Sequence, residues 1–517
     1  MASAANLRSR RSAAQHFALA GVQREIRSQD SSNERKYLRE FSHAFRSYEA
    51  VIDGQELKTL VGGSDVVLIG DYHALPSSQR FAASLLEGRA QPGDRPVVLG
   101  LETIFARDQH ILDEWWRREI DEAELRQRIR FDLDWGYDWT PFYELLVTAR
   151  EHAEGIHGLD CMPREDLRKI GARDRHAAHK IAEIRQRHPN AVIMVLFGES
   201  HLAPGHLPRA LREQLRGERV LTVLQNVDAL YWRAAGEQSN QVEAVRVRDD
   251  VVCVFNSTPL EKYENYRLHL SRWGRAEEEG PDLAPTIYNL IDSLVRFLGI
   301  DRYAAHNGTQ PKFLVDLLPE VYSNASAARL SRLLARQGAS EEAIAAMLRH
   351  VEERGCVYLA RANAFYVSEF QMMYAGEEVT RFLHHACRGL PQRNNGEHRR
   401  EMADRFYTRT VEHALGYLGS RVLYPARPSA TDEHGRQPLQ VTPESERKKF
   451  DASSQLLGYM LGNALYDAYL EGRVTPAMLR RVFLTPLEEP GQARETYNKL
   501  AEKLRLAGRT KRAAANL

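Results

Sequence analysis

Two short polar strings carry side chains suited to ligand binding or proton transfer. Gly70-Asp71-Tyr72-His73 and Gly198-Glu199-Ser200-His201 each close an apolar, strand-like run, and a third such run ends on Glu102. Imidazole nitrogens and carboxylate oxygens bind zinc, manganese or iron, and the same groups transfer protons in acid–base catalysis. The pattern predicts one site at which two imidazoles and at least one carboxylate converge.

The neighbouring carboxylates have predicted roles as well. Asp71 and Glu199 also stand where apolar strands end, and either is a candidate general base. A simpler interpretation stays open, since histidines also occur where a strand merely reaches solvent and a loop carboxylate often caps a helix.

These side chains meet only if the three apolar runs are neighbouring parallel strands, whose carboxyl ends open into one crevice. Strand-like and helix-like segments alternate between about residues 50 and 226, which is typical of βαβ units. The predicted fold class is therefore α/β, with a doubly wound, mainly parallel sheet. Residues 251–255 are expected to add a strand at the edge of that sheet.

An aromatic segment, residues 131–143, is the second candidate feature. One interpretation is a wall over the crevice that covers a flat ligand. The other is a loop pinned to the core by large side chains, with Pro141 opening the next helix. Under the first interpretation the predicted cofactor contacts are Tyr72, Trp135 and Tyr137, together with the two histidines.

The domain organisation follows from where the strand-like runs stop. Residues 1–32 are polar and rich in serine and arginine, which predicts a flexible tail. Residues 33–275 are predicted to form the α/β domain. Residues 276–517 are predicted to form a separate all-α domain, because long segments such as 357–387 show helical periodicity. The role of this domain is open, and a protein partner is one expectation for it.

Composition narrows the classes of function. The chain has 517 residues and a formal net charge of +1, whereas proteins that bind nucleic acid through bulk electrostatics carry a marked basic excess. No stretch approaches the roughly 20 apolar residues of a membrane span. Four scattered cysteines form no CxxC pair, and the cytoplasm is the predicted location. Neither nucleic-acid binding nor a membrane span is expected.

Six motifs occur in a recognisable order along residues 50–226. They are Leu68-Ile69-Gly70-Asp71-Tyr72-His73, Gly100-Leu101-Glu102-Thr103-Ile104-Phe105, Ile120-Asp121-Glu122-Ala123-Glu124-Leu125, Trp135-Gly136-Tyr137-Asp138-Trp139, Pro163-Arg164-Glu165 and Phe197-Gly198-Glu199-Ser200-His201. This order resembles the ChaN-like haem-binding uptake family, which is grouped with Tiki, TraB and erythromycin-esterase-like proteins. Asp71 stands where that family usually has glutamate, which keeps a carboxylate but shortens its reach.

The resemblance implies a doubly wound α/β domain with its site at His73, Glu102 and His201. ChaN-like members bind haem and are linked to iron uptake, so a haem or iron site is the first expectation. Tiki-like and esterase-like relatives imply instead a metal-dependent hydrolase of ester or peptide bonds. In that case His73, Glu102 and His201 would hold a divalent ion, and Glu199 or Asp71 would be the general base. A third alternative is a non-catalytic scaffold whose helical domain binds a partner.

Overall fold

The computed structural model describes residues 4–30, 36–89, 95–161, 170–237, 242–273, 282–300, 317–323, 326–388, 402–425, 427–430, 446–487 and 489–504. The chain divides into two compact units. One is Gln23–Gly274, here named the α/β unit, and the other combines Met1–Val22 with Arg275–Leu517 and is named the helical unit. The sequence motif Pro163-Arg164-Glu165 lies outside the described residues.

One sheet forms the centre of the α/β unit. Its strands are β1 (Ala50–Ile52), β2 (Val66–Asp71), β3 (Val97–Phe105), β4 (Gly155–Asp160), β5 (Val192–Gly198), β6 (Val220–Gln225), β7 (Ala244–Arg248) and β8 (Val251–Val254). Their spatial order is β1-β7-β8-β6-β2-β5-β3-β4. All neighbours from β8 to β4 are parallel, and β7 is antiparallel to both β8 and β1. The predicted α/β class is confirmed.

Helices precede and connect these strands, and residues 4–22 of the first helix belong to the helical unit. From residue 4 to residue 273 they are α1 (Ala4–Gln29), α2 (Lys36–Ala44), α3 (Gly54–Gly62), α4 (Pro76–Glu87), α5 (Gln109–Trp116), α6 (Glu122–Arg128), α7 (Phe131–Asp134), α8 (Trp139–His152), α9 (Ile170–Arg187), α10 (Leu207–Gln214), α11 (Asp228–Glu237) and α12 (Pro259–Trp273).

Apart from Asp71, Glu102 and Thr103, the central strands β2, β3 and β5 are apolar, because both faces of the sheet are covered. Strands β2, β3 and β5 are buried at every position. Successive residues of a strand point to opposite faces. Accordingly, Val67 and Ile69 of β2 pack into one hydrophobic cluster, while Val66 and Leu68 pack into another. Continuous apolar runs of this kind are expected in parallel sheets.

Two predictions near the ends of the α/β unit were wrong. Strand β8, expected at the sheet edge, is internal, because β7 pairs with it as an antiparallel hairpin partner and β1 pairs with β7. Residues 4–29, expected as part of a flexible tail, form helix α1 instead. The apolar residues of α1 recur at helical spacing, and Ala18 and Val22 are fully buried.

The helical unit contains a small sheet as well as helices. Its elements after residue 275 are α13 (Ala284–Leu298), β9 (Glu320–Ser323), α14 (Ala327–Arg336), α15 (Glu341–Arg354), β10 (Cys356–Leu359), β11 (Ala364–Val367), α16 (Met372–Arg388), α17 (Met402–Leu423), α18 (Glu446–Leu470), α19 (Pro476–Phe483) and α20 (Gln492–Lys503). Strand β11 lies between β10 and β9. The predictions of an all-α domain and of a helix over 357–387 were therefore wrong in part. Residues 356–367 form the hairpin of β10 and β11, whose turn holds Asn363 at φ 46°, and helix α16 covers Met372–Arg388.

No helix within the described ranges combines the length and apolar composition that crossing a membrane requires.

Candidate functional site

The carboxyl end of β2 holds the first imidazole in place. Asp71 is the last residue of β2, and Nδ1 of His73 lies 2.7 Å from its Oδ2 atom. The side-chain amide of Gln79 donates to the other carboxylate oxygen. Because the Asp71 side chain is 1% exposed, this acceptor is well shielded from water. It fixes the orientation of the His73 ring and favours a proton on Nδ1.

Glu102 of β3 lies between the two imidazoles of the sequence motifs. Its Oε2 atom is 3.6 Å from Nε2 of His73, and its Oε1 atom is 3.7 Å from Nε2 of His201. Strands β2, β5 and β3 are adjacent in the sheet, which is why three distant segments deliver these groups to one edge. The structure thus brings His73, Glu102 and His201 together.

An arginine that the sequence patterns did not single out holds the central carboxylate. Arg173 of α9 donates from one Nη to Oε1 of Glu102 at 2.5 Å and to Oδ2 of Asp160 at 2.7 Å. Its Nε donates to the other oxygen of Asp160 at 3.0 Å. All three side chains are at most 7% exposed. A single guanidinium therefore joins the ends of β3 and β4.

Charge around Glu102 keeps it ionised. Burial by itself would raise the pKa of this carboxyl group, but the positive charge of Arg173, aided by the two imidazoles and the backbone N–H of Gly198, holds its pKa at about 2. The pKa of Arg173 is raised in turn, since the attraction of its two carboxylates outweighs its burial. The group facing the imidazoles is therefore a carboxylate throughout the physiological pH range.

The second imidazole is held by a chain of hydrogen bonds that reaches the surface. His201 lies on a 3₁₀ turn, Glu199–Leu202, directly after β5. Its Nδ1 is 2.6 Å from Oδ1 of Asp174, whose other oxygen is 3.1 Å from Nδ1 of His206. Nε2 of His206 lies 3.0 Å from the half-exposed Glu40. Hydrogen bonding to Asp174 raises the pKa of His206, against the opposite effect of burial.

Gly198 permits the close packing of these groups. Its N–H donates to Oε2 of Glu102. A Cβ atom at this position would lie 2.9 Å from Oε2 of Glu102, 3.4 Å from Nε2 of His73 and 3.5 Å from Cδ2 of His201. The carboxylate and both rings therefore pack against a position that only glycine leaves open.

Glu199, predicted as a general base, is engaged by a lysine. Nζ of Lys262, on α12, lies 2.8 and 3.0 Å from the two oxygens of Glu199 and 4.5 Å from the centre of the Tyr72 ring. Burial raises the pKa of Glu199, and the charge of Lys262 opposes that effect. Glu199 thus forms a buried ion pair beside the imidazole cluster, whereas Asp71, the other predicted base, is bonded to His73.

The aromatic segment surrounds His73, but its members differ in exposure. The ring centre of Trp135 is 5.2 Å from that of His73 in an edge-to-face contact, and the Tyr137 ring is 5.3 Å away. Trp135 is only 1% exposed, so it belongs to the core and presents little surface to a ligand. Tyr72 and Tyr137 are half-buried. Trp135 therefore agrees with the interpretation of a segment pinned to the core, whereas a ligand contact of Tyr137 stays a prediction.

Helix α12, which the sequence patterns did not reveal, covers this edge. Its Tyr266 ring makes an edge-to-face contact with Tyr72 at 6.0 Å, and its His269 ring stacks on Tyr137 at 4.2 Å. Lys262, described above, lies on the same helix. The candidate ligand contacts Tyr72 and Tyr137 are thus in contact with the chain's own helix.

The donor set does not suit a divalent ion. Among the residues that the structure describes, no group of three or more His, Cys, Asp and Glu side chains is arranged to hold a metal. Both oxygens of Glu102 already accept hydrogen bonds, one from the cationic Arg173 and one from Gly198. A metal bound by His73, Glu102 and His201 would have to share its carboxylate with a guanidinium.

Haem iron is a different case, because one imidazole suffices as its protein ligand. His73 fits that role, since a buried carboxylate orients its ring and its side chain is 14% exposed. His201 fits that role less well, because its side chain is only 4% exposed. A contact of His201 with a cofactor stays a prediction.

Comparison with known proteins identifies the segment that carries Asp71, His73 and Glu102. Residues 59–173 match the family described as haem-binding uptake, Tiki superfamily, ChaN. These residues are ChaN-like. The matched stretch ends before the second string, so the likeness that the sequence motifs suggested beyond residue 173 is not part of this match.

The chain was also compared with solved structures and curated proteins. The structure titled "Cofacial heme binding to ChaN of Campylobacter jejuni" matches with a TM-score of 0.27 and 15% sequence identity, covering 34% of this chain and 86% of that chain. No curated protein matches the chain.

Proposed function

We propose that the α/β unit binds haem at the carboxyl edge of the sheet, with His73 as the protein ligand to iron. The observation that carries this proposal is the 2.7 Å contact between Nδ1 of His73 and the buried carboxylate of Asp71. Histidines that bind metal almost always give their second ring nitrogen to such an acceptor, which orients the ring and raises its basicity. The family match over residues 59–173 includes both residues.

The surroundings of His73 favour a flat, largely apolar ligand. Tyr72 and Tyr137 are half-buried next to the imidazole. Helix α12 covers part of each ring, and the remaining ring surface would contact a porphyrin. Trp135 and Phe142 pack against the His73 ring from the core, at 5.2 and 6.4 Å, and limit its movement. When bound, haem supplies an iron centre that accepts a nitrogen lone pair. The role of this chain is to present that lone pair from one fixed direction.

A haemin titration of the full chain tests the proposal. Stoichiometric haemin is expected to shift the Soret band, and His73→Ala should abolish the shift. The matched control is His179→Ala, because the His179 side chain is 63% exposed on α9 and lies outside the candidate site. An unshifted Soret band in the wild-type chain, or an equal loss in both variants, would reject His73 as the ligand.

A second candidate function rests on the placement of Glu102 between two imidazoles, each held through Nδ1 by an aspartate. This arrangement suits acid–base hydrolysis of an ester or peptide bond. Nε2 of His73 would take a proton from water as the oxygen attacks the carbonyl carbon, and would return it to the leaving group. Glu102 would stabilise the charged ring.

Hydrolysis of a substrate in the absence of haemin would distinguish this second candidate from haem binding. A panel of ester and peptide substrates is expected to be hydrolysed by the wild-type chain, and Glu102→Gln, which removes the charge but keeps the shape, should slow hydrolysis about 10²–10³-fold. No turnover by wild-type protein on any substrate of the panel, together with haemin binding, would leave the haem proposal as the single account of this site.

A further inference from the structure

The carboxyl edge of the sheet carries an excess of buried negative charge. Four carboxylates there have side chains no more than 3% exposed, namely Asp71, Glu102, Asp160 and Asp174. Among the residues that the structure describes, Arg173 is the one permanent cation in contact with this set. Four carboxylates against one guanidinium leave an excess of three negative charges, counted without the imidazoles.

The field of this set is not cancelled by its surroundings. Burial raises the pKa of Asp174, but hydrogen bonds to the imidazoles of His201 and His206 outweigh that effect and lower the pKa overall. The central carboxylate is ionised for the reasons given above. The neighbouring pair of Glu199 and Lys262 adds no net charge. Because the four carboxylates are buried, water and salt screen their charges weakly.

This negative charge acts on any metal that His73 binds. The Asp71 carboxylate lies 2.7 Å from Nδ1 of the ring, and the Glu102 carboxylate lies 3.6 Å from Nε2, the nitrogen that would bind iron. The iron centre of ferric haem carries one more positive charge than that of ferrous haem, so nearby negative charge stabilises the ferric form more. The contact with Asp71 acts in the same direction, because it makes the imidazole more basic.

We propose that the buried carboxylates make this site selective for ferric haem over ferrous haem, and that Glu102 and Asp174 set the preference through their charge. The proposal rests on the haem proposal above. Neither residue has to touch the ligand, since charge acts through space. Asp174 is separated from His73 by His201 and Glu102, so its effect should be the smaller of the two.

Titration of the full chain with three ligands tests the selectivity. Haemin, haem kept ferrous with dithionite, and zinc protoporphyrin share the flat ring, but only haemin contains a trivalent metal. Dissociation constants are read from absorbance in the Soret region. The wild-type chain is expected to bind haemin at least about tenfold more tightly than either other ligand, because of the extra charge on its metal. Equal affinity for the three ligands would overturn the proposal.

Variants that remove charge but keep shape isolate the effect of the carboxylates. Glu102→Gln should reduce the preference for haemin over ferrous haem about tenfold, which raises the reduction potential of the bound iron by about 59 mV. Asp174→Asn should reduce the preference about threefold. Because Asp174 does not contact the ring that would bind iron, this variant decides the question if Glu102→Gln fails to fold. The control is Glu213→Gln, whose side chain is 62% exposed on α10 and which should leave the preference unchanged.

The outcomes separate this proposal from the haem proposal. Haemin binding through His73 with the same preference in the wild-type chain and both buried variants would overturn the selectivity and leave the haem proposal standing. An equal loss of preference in Glu213→Gln would also overturn it, because an exposed charge would then act as strongly as the buried ones. If the wild-type chain does not bind haemin, both proposals are rejected.

Discussion

Replacing Arg173 with methionine is expected to destabilise the α/β unit by about 3–5 kcal/mol at pH 7. The substitution keeps an unbranched side chain of similar length but removes the guanidinium that joins Glu102 to Asp160. Both carboxylates would then remain buried without their cation, with side chains 3% and 0% exposed. An uncompensated buried charge is among the most costly changes a folded protein can undergo.

The size of this destabilisation follows from the pKa of Glu102. Its pKa is about 2 in the folded chain against a usual value of 4.5, and this difference corresponds to about 3 kcal/mol. Because the folded-state pKa is the lower one, this stabilisation is present above pH 4.5 and is lost as the pH falls from 4.5 towards 2. The free energy of unfolding of a whole domain is only about 5–15 kcal/mol, so a loss of this size is a large share of it.

Tryptophan fluorescence offers an assay specific to this unit. All six tryptophans lie between residues 115 and 273, within the α/β unit, so urea unfolding followed by fluorescence reports on that unit alone. The control is Arg209→Met, which breaks an ion pair whose arginine is 70% exposed and should change stability by less than about 0.5 kcal/mol. A loss below about 1 kcal/mol in Arg173→Met, or undiminished pH dependence in Glu102→Gln between pH 4.5 and 2, would refute the reasoning.

Three further predictions concern the same edge of the sheet. Gly198→Ala should destabilise the unit by about 1–3 kcal/mol in the fluorescence assay, because the added methyl group meets the carboxylate and ring above it; unchanged stability would contradict this packing. Asp71→Asn should weaken haemin binding about 10–100-fold, because the amide orients His73 less firmly and lowers its basicity; an unaltered titration curve would argue against the role of this pair. An NMR titration should place the pKa of His206 above the usual 6.5, and Asp174→Asn should lower it. Since the folded-state pKa is the higher one, the stabilisation from that pair is complete below pH 6.5 and is lost as the pH rises through the folded value.

The central strands and the approach of the two imidazoles could be predicted from the sequence because each depends on local information. Strands β2, β3 and β5 are continuous apolar runs, and Asp71 and His73 follow one of them within two residues. Parallel pairing then carries those residues to one edge, whatever the intervening loops do. The cytoplasmic location and a protein partner for the helical unit stay predictions.

The charged partners could not be predicted, because periodicity assigns charged residues to solvent. Arg173 and Lys262 lie on helices, yet their side chains are only 7% and 5% exposed. Their burial depends on carboxylates 71 and 63 residues earlier in the chain. A single sequence gives no sign of such pairing, since it records charge but not the distant group that neutralises it.

Periodicity also assigns a buried charge of the helical unit to solvent. Glu377, on α16, has the spacing of a solvated helix face, but it is fully buried. Its carboxylate accepts hydrogen bonds from Arg354 at 3.3 Å, from Arg427 at 3.1 Å and from the hydroxyl of Tyr459 at 2.8 Å. These donors come from three separate segments, so a charge that periodicity assigns to the surface becomes the centre of a buried cluster.

Helix α1 begins the chain, yet its first part completes a unit whose other residues start at position 275. Gln15 donates to the carbonyl oxygen of Val422 at 3.0 Å, and the guanidinium of Arg296 lies 3.7 Å from the ring centre of Phe17. During synthesis the ribosome therefore releases α1 several hundred residues before these partners exist. The α/β unit can fold before these contacts form. The helical unit closes only when the segments on either side of the α/β unit have met, and contacts of such high sequence separation slow folding.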